Sequence, residues 1–188
     1  MSSFNRIKEI LFDRRIAVPS VLVTALTGAF LSSFDNRLFN PAGTLFDLQV
    51  SFSPELFKAS VSLWKDHGTQ LFLNYLQTDI VFCLCLTIML LSVTGMMWTH
   101  LQSLYTDARP PAFFEKLVQI LVLLPLLASA AGITGDLLFY SAVKNQGTVH
   151  TLIPAASGFA LAKYLLLALS VTGIMILLVT RRRKMKSR

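Results

Sequence analysis

Residues 80–99 read IVFCLCLTIMLLSVTGMMWT, twenty residues without one Asp, Glu, Lys or Arg. A bilayer core of ~30 Å needs about 20 apolar residues at ~1.5 Å rise, so this stretch is long enough to cross one as a helix. Three further stretches have the same character: 16–34, 117–135 and 159–180, the last interrupted only by Lys163. Four spans in 188 residues leave little chain for anything else. The reading is an all-α membrane protein, a four-transmembrane-helix bundle in one domain over residues 1–188. Its longest connection, 35–78, forms an outer cap containing a short amphipathic helix.

Composition agrees. Apolar residues make up 54% and charged residues 14%, where a soluble domain carries nearer a quarter charged. The formal net charge of +7 would suit nucleic acid if the charge were clustered on one folded surface. Instead it sorts by loop. Twelve Lys and Arg lie before span one, between spans two and three, and after span four; Arg37, Lys58, Lys65 and Lys144 lie in the other two connections. Positive charge marks the cytoplasmic side. Both termini are therefore expected there, as an even number of spans requires, and no nucleic-acid partner is expected. The N-terminal run has basic residues and then an apolar stretch, like a secretory signal. Its apolar stretch of 19 residues is too long, and no small-x-small cleavage site follows, so it reads as a retained first helix with Pro19 in its first turn.

Along the chain, residues 1–15 form a short amphipathic lead-in. Asn40-Pro41-Ala42-Gly43 reads as a turn, and Leu45–Phe52 as a short extended segment. Ser53-Pro54-Glu55 signals a helix start: a capping hydroxyl, a proline at the first position, an acid in the first turn. That helix is expected to run to about Asp66, with Phe57, Val61 and Trp64 on one face and Gly68 ending it. From Thr69 the pattern is helical into span two, and Trp64, Tyr75 and Trp98 read as interface aromatics. Arg109-Pro110-Pro111 breaks the chain before helix three. That helix passes Pro125, continues beyond Asp136 to about Lys144 and ends at Asn145-Gln146-Gly147. Residues 148–158 read as a loop. Cys83 and Cys85 both fall within span two, two residues apart, and point to different faces.

Three ionisable residues lie in the apolar runs or at their edges. Asp79 opens span two, Asp136 closes span three, and Lys163 lies inside span four. The topology puts all three at one end of the bundle, on three helices. A charge at the centre of a span costs roughly 2.5–3.5 kcal/mol, so such groups face the bundle interior and pair. Lys163 with Asp136 or Asp79 is the natural pair, which leaves one acid uncompensated. Tyr75 and Tyr140, one helical turn from the two acids, and Asn74 complete a candidate polar cluster. It can serve as a structural lock, as a ligand pocket open to the outer side, or as part of a path for protons or ions. His67, His100 and His150 share no ligand spacing, so no metal is expected. No phosphate-cradling loop or nucleophile elbow is present, and no catalytic residue or cofactor is expected.

The stretch Leu45-Phe46-Asp47-Leu48-Gln49-Val50-Ser51-Phe52-Ser53-Pro54-Glu55, with Gly68, Tyr75 and Asp79 after it, resembles a group of uncharacterised bacterial four-span integral membrane proteins with a similar "DLQ…SPE" outer-loop motif. The resemblance continues at Leu124-Pro125-Leu126-Leu127, Asp136 and Lys163. Where the group often has a Glu-Asn pair after the second acid, this chain has Leu138-Phe139-Tyr140. The resemblance implies the four-span fold, a bacterial inner membrane and the Asp79/Asp136/Lys163 cluster, and it implies no reaction. The tail Lys184-Met185-Lys186-Ser187-Arg188 fits a dilysine pattern and offers the endoplasmic reticulum membrane as the alternative. Two functional classes are carried forward. One is a non-catalytic interaction or assembly subunit with a larger membrane-protein partner. The other is a protein that binds or modifies membrane lipid at the polar cluster.

Overall fold

The computed structural model describes residues 14–38, 41–105 and 111–186. Most of the lead-in over 1–15, Asn40 of the predicted turn, the Arg109-Pro110 break and the last residues of the basic tail lie outside them. The described residues are all-α: α1 (Arg14–Asp35), α2 (Leu45–Gln49), α3 (Pro54–Ser103), α4 (Ala112–Lys144), a 3₁₀ turn (Gln146–Thr148) and α5 (Val149–Lys186). Four of these helices, α1, α3, α4 and α5, are long and apolar enough to cross a membrane. Each includes one of the predicted spans. Pro19 lies inside α1 and Pro125 inside α4; both helices continue through the proline.

The backbone forms two compact units. One comprises Ala25–Leu84 and Ala128–Leu165; the other comprises 14–24, Cys85–Leu127 and 166–186. In the first, an aromatic and aliphatic core gathers Phe34, Phe57, Trp64, Phe72, Phe139 and Ile153 around the 35–78 connection. Phe72 lies 5.0 Å from Trp64 and 6.1 Å from Phe57, ring centre to ring centre, so the helix begun at Pro54 packs on the rest of α3 as expected. Trp64 and Tyr75 are buried in this core. They are core residues here, not the interface aromatics that the sequence suggested. In the second unit, Leu90, Leu101, Val118, Leu121, Ile174 and Leu177 form a smaller core. Within it Thr87 Oγ1 donates to the Pro125 carbonyl at 3.1 Å.

The 35–78 connection departs from the sequence reading in two places. Residues 45–49 are helical, where an extended segment was expected. The cause is a capping box: Thr44 Oγ1 accepts from the Asp47 N–H (3.1 Å), and Asp47 Oδ2 accepts from the Thr44 N–H (2.9 Å) and hydroxyl (2.8 Å). These bonds hold the Asp47 carboxyl below its usual range, the backbone bond contributing most. Asp35 Oδ1 takes the Leu45 N–H at 2.8 Å, which ties the start of α2 to the end of α1. Leu45 and Leu48, three apart, are buried together with Gln49. The second departure is at the break between the Pro54 helix and span two. It falls at Lys65 (φ 53°, ψ −162°), not at Gly68. Gly68 has another role: a Cβ there would lie 2.6 Å from the Trp64 Cβ, so only glycine lets the chain turn this tightly against the tryptophan.

The start of α3 matches its signal, with Ser53 Oγ accepting from the Leu56 N–H at 3.2 Å. Before it, Phe52 has a left-handed backbone (φ 55°), and its N–H donates to Ser157 Oγ of α5 at 3.3 Å. The stretch 148–158 is not the expected loop. Apart from the short 3₁₀ turn it is the first part of α5, and Pro154 lies within the helix. Asn145 Oδ1 accepts from the Gly147 N–H (3.3 Å) and stabilises the 3₁₀ turn that joins α4 to α5.

Candidate functional site

All three predicted ionisable residues belong to the Ala25–Leu84/Ala128–Leu165 unit. Asp79 comes from α3, Asp136 from α4 and Lys163 from α5. They are 3%, 2% and 3% exposed. Lys163 Nζ donates to Asp79 Oδ2 at 2.7 Å, across 84 residues of chain. Of the two acids offered by the sequence, Asp79 is the one that pairs. Asp136 shares the burial but not the bond, and its Oδ2 has no hydrogen-bond partner.

The lysine reaches this position because of a glycine on the neighbouring helix. A Cβ at Gly132 would lie 2.7 Å from Lys163 Cδ and 2.8 Å from Cys83 Sγ. Its absence leaves a channel for the aliphatic stem to run along α4. Cys83, one turn after Asp79, donates weakly to Asp79 Oδ1 at 3.8 Å. Lys163 Nζ also sits 4.8 Å from the centre of the Tyr164 ring, within cation–π range. The ammonium therefore lies between a carboxylate and an aromatic face.

The cluster extends to two residues that the sequence did not single out. Gln49 of α2 is fully buried. Its Oε1 accepts from the Tyr164 hydroxyl at 3.0 Å and, at a longer 3.4 Å, from the Tyr75 hydroxyl. Tyr75 and Tyr164 thus reach from α3 and α5 to a single side chain of the cap. Gln49 Nε2, like Asp136 Oδ2, has no partner. The glutamine ends the Asp47-Leu48-Gln49 stretch, and an extended reading of 45–52 offers no helical face on which to place it.

Two predicted members lie elsewhere. Asn74 is exposed and accepts from Gln70 Nε2 at 3.1 Å on the surface of α3. Tyr140 is 36% exposed, and its ring faces Lys144 Nζ at 5.8 Å. Phe139 takes the buried place beside it. The cluster is therefore Asp79, Lys163, Asp136, Tyr75, Tyr164 and Gln49. Its three charged members and Gln49 are at most 3% exposed, so the cluster is enclosed by protein.

Such an arrangement can hold helices in register. Two charges removed from water lose several kcal/mol each, which their mutual attraction only roughly offsets, but removing one partner strands the other. The pair thus rejects helix registers that separate Asp79 from Lys163. Among the described residues no group of His, Cys, Asp and Glu is arranged to hold a metal ion. The chain was compared with known protein families, with curated proteins and with solved structures, and none matched.

Proposed function

We propose that this protein is a non-catalytic interaction or assembly subunit of a membrane complex. In this reading the buried cluster is the lock of the fold, and helix surface is the functional part. The observation that carries the proposal is the exposure of α1. Only 11% of its apolar stretch is buried, against 39%, 33% and 28% for α3, α4 and α5. Val18, Leu22 and Leu26 are between 56% and 72% exposed on it. A helix so little covered by the rest of the chain leaves most of its length for a neighbouring helix. The charge distribution supports cytoplasmic termini. The resemblance to bacterial four-span proteins supports the bacterial inner membrane.

Purification in mild detergent is the test. A larger membrane protein recovered in fixed stoichiometry, and lost when Leu22 and Leu26 are both replaced by Trp, is the expected result. A chain recovered alone from its native membrane, with α1 cross-linking only to lipid, would refute the proposal.

A further inference from the structure

Two grooves adjoin in the unit that holds the cap, and both are lined by Arg37 and Leu71. Arg37 follows the end of α1 by two residues, at the limit of the first apolar stretch. One groove, of about 570 Å³, runs past Phe30, Phe34 and Val81, with Asn74 and Thr78 among its polar groups. The other, of about 520 Å³, lies against Trp64 and His67. Phe30 and Val81 are 53% and 52% exposed. The site thus has an apolar length, polar donors and one permanent positive charge at its head.

Arg37 is exposed. Among the described residues its guanidinium makes no ion pair with a carboxylate. The nearest acid in sequence, Asp35, has one oxygen committed to the Leu45 N–H at 2.8 Å. A planar guanidinium matches a phosphate oxygen pair in two-pronged geometry. An acyl chain is the molecule that continues from such a phosphate down an apolar groove beside a span.

We infer that the Arg37 grooves form a binding site for an anionic phospholipid, its phosphate at Arg37 and one acyl chain along Phe30, Phe34 and Val81. This site is separate from the enclosed Asp79–Lys163 cluster, and it does not depend on the protein being an assembly subunit.

The chain has two tryptophans, and Phe30 lines the acyl groove at 53% exposure, so Phe30→Trp in a Trp98→Phe background puts a reporter in that groove. In mild detergent, phosphatidylglycerol with brominated chains should quench the added fluorescence at about one fifth of the concentration needed with brominated phosphatidylcholine, through the charge-assisted contact of its phosphate with Arg37. Arg37→Gln should bring the two lipids to parity, and Arg37→Lys should keep part of the difference. Native mass spectrometry of the chain with both tryptophans should show phosphatidylglycerol retained, and lost in Arg37→Gln; this reads the same property if Trp98→Phe folds poorly. Equal quenching by both lipids, or a preference that survives Arg37→Gln, overturns the inference. So does an Asn74→Cys variant that cross-links to another protein chain in native membranes, because the groove is then covered by protein.

Discussion

At the level of single residues, the two acids of the cluster are predicted to behave differently. Asp79 carries the ion pair, so Asp79→Asn strands Lys163 and should cost about 3–5 kcal/mol of stability, as should Lys163→Met alone. The double variant Asp79→Asn/Lys163→Met removes both charges and should recover most of that loss. Asp136 has an unpartnered Oδ2, and Asp136→Asn should change stability by less than about 1 kcal/mol. Thermal unfolding in detergent, read for the four variants together, checks the order; equal losses for the two acids would contradict it. Gly132→Ala puts a methyl where the Lys163 stem lies, and should cost about 1–3 kcal/mol by overpacking. The sequence made the charged members legible because an ionisable residue in an apolar run has few places to go. It placed the surrounding polar residues less well. Asn74 is five residues from Asp79, which on a 3.6-residue helix is a different face. Tyr140 is on a suitable face of α4, but Phe139 fills the covered position there. Gln49 and Tyr164 depend on contacts between remote parts of the chain, which helical periodicity does not encode.

At the level of elements, the cap is held by its helix ends. Asp47 has its carboxyl pKa lowered in the fold by the Thr44 N–H and hydroxyl. A lowered folded value favours the carboxylate, so the stabilisation is present above the unfolded value, about 3.9, and is lost as pH falls through the folded one. Hydrogen exchange at residues 45–50 should therefore quicken relative to the long helices as pH drops below about 4, after correction for the intrinsic rate. Thr44→Ala should quicken it already at neutral pH, by the loss of a cap worth about 1 kcal/mol. Unchanged protection in both cases would mean that α2 is held by Leu45 and Leu48 alone. The long helices were readable from length and hydropathy, and the Pro54 start from Ser53-Pro54-Glu55, because those signals are local. The Lys65 break was displaced to Gly68 by the usual preference of glycine for left-handed backbone; here glycine is required for proximity to Trp64 instead. Residues 148–158 looked like a loop because Pro154 and Gly158 are poor helix formers, and packing of Ile153 and Ala156 into the core overrides that preference.

At the level of the whole molecule, the charge distribution makes a prediction that can be read in intact cells. Ser62→Cys, in the 35–78 connection, should react with a membrane-impermeant maleimide added outside. Ser103→Cys, at the end of α3, should react only after permeabilisation. The opposite pattern would invert the topology. The ion pair has a further consequence, for synthesis. Asp79 leaves the ribosome 84 residues ahead of its partner, which at about 5–20 residues per second is roughly 4 to 17 seconds. For that interval the second span carries an acid with no counter-charge, and the last span cannot settle at full depth until it finds that acid. A fragment ending after α4 is thus expected to be recognised as unfinished and degraded, and to be rescued when α5 is supplied as a separate chain that keeps Lys163.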